Sequence, residues 1–154
     1  MNLLLPQAHS RNLSEALSEA GRREVGGILM GQHLRPEVFR VADLTIQKHS
    51  GKFAAFVRAL LDVMEPLRQF FEATRHDYTQ FNYLGEWHSH HSFELVPSDR
   101  DRQSMRRIVD DPGVGANFAV LMLVKLGESS ELLCRAWLYR SEVDEEAVEV
   151  HIEP

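Results

Sequence analysis

This sequence has one cysteine, no long apolar run and no excess of positive charge. The single Cys134 excludes an internal disulfide framework and is typical of a reducing compartment. No stretch approaches the roughly 18 apolar residues of a membrane span, and the first residues lack the features of a signal peptide. The formal net charge of -6 argues against general nucleic-acid binding. We therefore expect a cytoplasmic protein that binds neither nucleic acid nor membrane.

The pattern of apolar residues predicts a single domain over residues 1–154. Hydrophobic residues make up 44% and charged residues 26%, a balance that favours an ordinary soluble globular protein. Apolar periodicity predicts helices over 11–24, 53–71 and 97–111 and strands over 25–31, 38–47, 81–90, 117–126 and 131–140, with an edge strand at 145–154. Gly21 is placed to end the first helix, and Pro66 predicts a kink or two abutting helices. The fold class is α/β, an α+β mixed sheet flanked by helices.

Residues 85–101, "GEWHSHHSFELVPSDRD", contain three histidines in four positions. In a strand, His88 and His90 project from one face with their Cα atoms about 7 Å apart. That geometry suits two imidazoles that converge on one cation with bonds of about 2.0–2.1 Å. Trp87 and Ser89 then point the other way, toward packing. A His-x-His pair alone is equally compatible with hydrogen-bonded or surface histidines.

The continuation "PSDRD" predicts the start of a helix. Ser98 is placed as the N-cap residue, with Asp101 three residues later in a capping-box position. That box by itself explains both residues. However, a carboxylate in the first turn of the helix after the histidine strand could also supply a third metal ligand. Three protein ligands with one open position are typical of a catalytic zinc site.

The full spacing is His88-x-His90, seven residues, Ser98, two residues and Asp101. It resembles the JAMM motif of the JAB/MPN metallopeptidase family. That family's pattern also contains an upstream Glu-x-x-Gly-x-Leu-x-Gly. Residues 24–31, "EVGGILMG", supply it with Glu24, Gly27, Leu29 and Gly31. The predicted order of elements is similar to a small bacterial-type JAB domain, which implies a cytidine-deaminase-like arrangement of the sheet and helices.

The resemblance implies a role for each of five residues. His88, His90 and Asp101 bind one zinc ion per chain, and a water whose pKa zinc lowers toward about 7 takes the fourth position. Glu24 acts as general base and then as general acid, and Ser98 hydrogen-bonds the oxyanion of the tetrahedral intermediate. Without the resemblance, Glu24 would be interpreted as a charged residue at the end of the first helix.

His91 departs from the family pattern, in which proline commonly follows the second histidine. A proline would restrict the backbone as it leaves the strand. Three interpretations of His91 remain open at this point: a solvent-exposed substitution, a group that supports the ligands or contacts substrate, and an alternative zinc ligand.

The resemblance implies a zinc metallopeptidase or isopeptidase. Its substrate would be an amide bond at the C-terminus of a ubiquitin-like or sulfur-carrier protein, with activating or conjugating enzymes as associated partners. The alternative is a non-catalytic MPN-type scaffold or partner-binding module, since many such domains lack the metal motif. The intact ligand set and Glu24 favour catalysis. A zinc deaminase is excluded because its Pro-Cys-x-x-Cys segment needs two cysteines.

Overall fold

The computed structural model describes residues 1–47, 56–92 and 94–154, and the side chains of α2 from residue 64 onward. Residues 53–55 of the predicted second helix lie outside the described residues. Within the described part, the elements in chain order are β1 (Asn2–Pro6), α1 (Gln7–Ala20), β2 (Gly26–Arg35), β3 (Val38–Leu44), α2 (Phe56–Ala73), β4 (Phe81–Ser89), α3 (Asp99–Asp110), β5 (Ala119–Leu126), β6 (Leu132–Arg140) and β7 (Val143–Glu153). Of these described helices, none has the length and apolarity to cross a membrane.

The described strands form a mixed sheet, as predicted, and this sheet closes into a barrel in the order β1-β3-β2-β4-β5-β6-β7. Neighbours pair parallel at β1–β3, β1–β7 and β4–β5 and antiparallel elsewhere. The prediction of an edge strand near the C-terminus is wrong. Strand β7 pairs with β6 on one side and with β1 on the other. Strand β1, whose Leu3 and Leu5 alternate into the core, is not among the strands predicted from the sequence.

The sheet is packed on both faces, and β5 shows this most clearly. Val120, Met122 and Val124 belong to the core cluster that contains residues of α1. Leu121 and Leu123, which alternate with them, belong to the cluster built on α3. This confirms the prediction that β5 is buried on both faces, which its continuous apolar run indicated. We call these two sides of the sheet the α1 face and the α3 face.

The bounds of α1 and the path of α2 at Pro66 differ in part from the prediction. Helix α1 spans Gln7–Ala20, so it begins before the predicted residue 11, and residues 22–24 of the predicted range lie outside it. Gly21 ends it as predicted: its φ of 59° is left-handed, and its N–H donates to the Leu17 carbonyl (3.1 Å). Pro66 lies inside α2, which continues on both sides of it, so the alternative of two abutting helices is wrong.

Two glycines allow close backbone contacts around β4. Gly85 has a φ of 153° beside a register shift in the β2–β4 pair, and a Cβ there would lie 1.9 Å from the Val120 carbonyl oxygen. A Cβ at Gly27 would lie 1.9 Å from the Thr45 carbonyl oxygen. That same oxygen accepts a hydrogen bond from the Trp87 indole (2.8 Å). A side chain at Gly85 would therefore displace β4, which carries the two histidines, and one at Gly27 would displace the Thr45 backbone that holds the Trp87 indole.

Candidate metal centre

The end of β4 and the first turn of α3 bring His88, His90 and Asp101 together. The two Nε2 atoms of the histidines are 3.1 Å apart. The Asp101 carboxylate lies 3.3 Å from the His88 Nε2 through Oδ1 and 3.7 Å from the His90 Nε2 through Oδ2. One ligand atom from each residue lies within 4.8 Å of the other two. All three side chains are largely buried, so the group faces a sheltered position at the end of the strand.

These separations fit a divalent ion. Ligand atoms about 2.0–2.1 Å from a tetrahedral ion lie about 3.3–3.4 Å from one another. The observed separations of 3.1, 3.3 and 3.7 Å bracket that value. The His90 Nδ1 lies 3.0 Å from the Glu94 carbonyl oxygen, to which it can only donate. This bond places the lone pair on Nε2, the atom that faces the other ligands. The residues present can therefore hold a first-row divalent metal.

The α1 face of β4 supports this arrangement. Trp87 is fully buried in the α1 cluster. Ser89 is also buried, and its Oγ accepts a hydrogen bond from the Val25 N–H (3.0 Å). Both side chains point away from the ligands, as strand alternation predicts. The packing of Trp87 and the bond to Ser89 therefore hold the ligand strand from behind.

Ser98 and Asp101 form the predicted capping box at the start of α3. The Asp101 Oδ2 accepts hydrogen bonds from the Ser98 N–H (2.8 Å) and hydroxyl (2.7 Å), while the Ser98 Oγ accepts one from the Asp101 N–H (3.2 Å). Burial acts to raise the pKa of Asp101, but the interactions with His88 and the bonds from Ser98 together hold it well below its usual range. The capping box thus presents an ionised carboxylate to the two histidines.

Glu24 lies in the exposed segment between α1 and β2. Its interpretation as the end of the first helix is wrong, because α1 ends four residues earlier. In the antiparallel β2–β4 pair, Gly26 lies opposite His88. The hydrogen bonding continues beyond that pair, since the Val25 carbonyl accepts a bond from the next residue of β4 (2.8 Å). Extending the register by one more step places Glu24 opposite His90, on the same face of the sheet.

Comparison with known proteins agrees with the fold and the ligand group. A family model described as prokaryotic homologs of the JAB domain matches residues 6–140. This chain belongs to that family. The JAB family includes JAMM metalloproteases, and this member has the His88, His90 and Asp101 group that could hold a metal ion. No match is found among curated proteins.

Two solved structures resemble this JAB domain over nearly its whole length. The solution structure of protein DSY2949 from Desulfitobacterium hafniense is 17% identical, with a TM-score of 0.65, and the match covers 98% of this chain and 92% of that one. The crystal structure of AF2198, a JAB1/MPN domain protein from Archaeoglobus fulgidus, is also 17% identical, with a TM-score of 0.50 and coverage of 99% and 100%. At this identity, the two structures show the shared fold alone.

Loss of the Ser98 side chain should destabilise α3 in this JAB domain. Ser98→Ala removes the N-cap acceptor of α3 and the hydroxyl bond to Asp101. We expect the metal-free protein to lose about 1 kcal/mol of unfolding free energy, within the usual range of about 0.5–2 kcal/mol for a lost cap. Urea unfolding measures this change, with Ser98→Thr as the control that keeps a hydroxyl. Equal stability of Ser98→Ala and the unaltered protein would contradict the cap.

His91 lies next to the ligands without joining them. Its ring is hydrogen-bonded to the Ser92 hydroxyl and is exposed. It lines a small cavity of about 90 Å³ together with Arg23 and Ser89. Among the described residues, the group of side chains that could hold a metal does not include it. The alternative-ligand interpretation therefore finds no support in the geometry.

Replacement of His91 should leave metal binding intact. We expect His91→Ala to bind the same amount of metal as the unaltered protein, with an affinity within about threefold, because its ring is exposed and outside the ligand group. Metal analysis of the purified proteins and competition with a chelator measure both quantities. A protein that loses its metal on this change would make His91 a ligand.

Glu86, which lies two residues before His88 on the same face of β4, is not among the site residues predicted from the sequence. It is only 6% exposed. Burial, and secondly the negative charge of Asp101, raise the pKa of its carboxyl to about 7. The available signal was an acidic residue inside "FNYLGEW", a predicted strand rich in aromatic residues. Such a residue is rare at a buried position unless it has a partner.

Proposed function

We propose that this JAB domain is a zinc-dependent hydrolase of amide or isopeptide bonds, with one zinc ion per chain. The observation that carries the proposal is the convergence of His88, His90 and Asp101 at separations suited to a tetrahedral ion. Two nitrogen donors and one carboxylate leave one coordination position open, as in catalytic zinc sites. Zinc in this position would supply a Lewis acid and lower the pKa of a coordinated water toward about 7.

Glu24 is the proposed general base. Glu24 is exposed, and continuing the β2–β4 register past Val25 would bring it opposite His90, which supports this role. From there it would accept a proton from the attacking water and donate it to the leaving amine. Exposure suits this role, because the group must exchange its proton in every cycle.

Ser98 is the proposed donor to the oxyanion that forms during the reaction. Its hydroxyl donates to Asp101 in this structure. During the reaction it would exchange this bond for one to the substrate oxygen, where donors of this kind lower the barrier. The backbone of Ser98 would keep its own bond to the Asp101 carboxylate (2.8 Å) and so hold the ligand in place.

The substrate we propose is the extended C-terminal tail of a ubiquitin-like or sulfur-carrier protein, delivered with associated activating or conjugating enzymes. Strand β1 pairs with β3 only over residues 38–40 of β3. Beyond it, Gln47 forms a bridge with Gly26 of β2, which in turn pairs with His88. A tail could therefore pair as an additional strand with the segment that ends at Gln47. From there it would reach the ligands across β2 and β4.

A panel of fusions tests this function. Ubiquitin-like and sulfur-carrier proteins are joined to a reporter either by a peptide bond or through a lysine side chain, and each is incubated with zinc-loaded protein. We expect at least one fusion to be cleaved after its C-terminal residue, with cleavage abolished by a chelator. Zinc binding without cleavage of any fusion would instead favour the partner-binding module.

A further inference from the structure

Two glutamates are assigned by strand register to the face that carries the ligands, one exposed and one buried. The exposed carboxyl is that of Glu24, opposite His90 in the extended register. The buried one is that of Glu86, which precedes His88 by two residues and lies opposite Ile28 of β2. Because side chains two apart in a strand share a face, Glu86 belongs to the same row as the histidines. The mechanism proposed above uses only the exposed carboxyl.

Glu86 is in an environment that an apolar residue would suit better. Its neighbours across the strands are Ile28 on β2 and Leu121 on β5, and both are buried. No hydrogen bond or ion pair joins Glu86 to another described residue, and the charged group that acts on it is Asp101, which is also acidic. Burying an ionised carboxyl in such a position is unfavourable unless a cation or hydrogen bonds compensate it. The described chain itself therefore provides no compensation for this group.

A divalent ion at the ligand group supplies that compensation. The ion, the Asp101 carboxylate and two neutral imidazoles together carry one positive charge in excess. A carboxylate nearby offsets part of this excess, in a sheltered position where charge interactions are screened less than in water. Glu86 is not itself a ligand in this geometry, since the group of atoms that lie within 4.8 Å of one another comprises His88, His90 and Asp101.

We infer that Glu86 is a positioning residue for the metal: its buried carboxylate, behind the three ligands, balances the charge of the bound ion and raises the affinity of the site. This inference rests on the proposed metal-dependent function. It assigns the two glutamates of the row different tasks. Glu24 moves protons on the exposed side, and Glu86 stabilises the ion from the buried side.

Replacement of Glu86 by glutamine tests this inference. Glu86→Gln keeps the size of the side chain and removes its charge. We expect metal affinity, measured by competition with a chelator, to fall about 10- to 100-fold, as it does when groups that support metal ligands are lost. The melting temperature of the metal-free protein should stay the same or rise, because a buried acid has been removed.

Two further variants complete the test. Glu86→Met is apolar and of similar size, so it should fold if glutamine does not, and it should show the same loss of affinity. Tyr83→Phe is the matched control: it removes a buried hydroxyl without a hydrogen-bond partner from a residue of the same strand that interacts electrostatically with Glu86. Its metal affinity should stay within about twofold of the unaltered protein.

The outcomes separate this inference from the proposed function. If a folded Glu86 variant binds metal as tightly as the unaltered protein, Glu86 is a buried acid of structural importance only and the inference is wrong. If the unaltered protein binds no metal, both the proposed function and this inference are wrong. A loss of metal affinity confined to the Glu86 variants, with the Tyr83 variant unchanged, supports both the metal site of the proposed function and the inference on Glu86.

Discussion

Replacement of Glu24 by glutamine is expected to leave zinc in place and to reduce hydrolysis by about 10²- to 10⁴-fold, the usual contribution of a general base. Glutamine has the size of glutamate but cannot accept the proton of the attacking water or return it to the leaving amine. Glu24 is exposed and outside the ligand group, so neither metal content nor folding should change. The measurement is kcat on a cleavable fusion, together with zinc analysis of the same sample.

A nearby exposed acid provides the control for this change. The Asp99 side chain is 97% exposed at the start of α3, and its ion pair with Arg102 is long (3.4 Å). Such surface pairs contribute little to stability, so Asp99→Asn should fold normally and keep its rate within about twofold. If Glu24→Gln also keeps its full rate on the same fusion, the base is a different group.

Replacement of His88 by alanine is expected to reduce bound zinc from one ion per chain to near zero at micromolar concentrations. His88 is buried and contacts both other ligands, through the His90 Nε2 and the Asp101 Oδ1. Two remaining ligands do not make a closed or catalytic zinc site. Hydrolysis should disappear with the metal. Metal analysis measures the stoichiometry directly.

Thermal melting provides a second measurement of the same change. A ligand that binds only the folded state raises the melting temperature. Zinc should therefore stabilise the unaltered protein and leave His88→Ala unaffected. His91→Ala is the matched control, because it removes the adjacent but exposed histidine and should keep both the metal and the stabilisation. A His88→Ala protein that keeps stoichiometric zinc would show that the ligand assignment is wrong.

The sequence predicted much of the local structure and the residues of the candidate site because both depend on short spacings. The alternation in β5 and the capping box of Ser98 and Asp101 are local patterns, and the structure confirms both. The convergence of His88, His90 and Asp101 followed from a strand and a helix only ten residues apart. The roles given to these residues and to Glu24 stay predictions, as do the single-domain boundary and the cytidine-deaminase-like arrangement.

The closure of the sheet could not be predicted in this way. It depends on the parallel pairing of β1 with β7, in which Asn2 lies opposite Glu149. Local periodicity carries no information about a partner at the far end of the chain. The sequence therefore indicated a strand at residues 145–154 but placed it at an edge.

Two features of the site also could not be predicted from residue patterns. The Glu94 carbonyl orients the His90 ring through the backbone, which any residue could supply. The burial of Glu86 depends on neighbours contributed by β2 and β5. Its acidic side chain was visible in the sequence, but the low exposure that gives it significance arises only from the packed sheet.

The most direct test of the central claim is a zinc titration of hydrolysis. The protein is stripped of metal with a chelator, and the cleavage rate of a susceptible fusion is measured as zinc is added back. The account predicts no cleavage without zinc and a linear rise that saturates at one equivalent per chain, absent in His88→Ala. Cleavage that persists in the stripped protein, or a protein that takes up zinc stoichiometrically at His88, His90 and Asp101 yet cleaves no fusion, would contradict it.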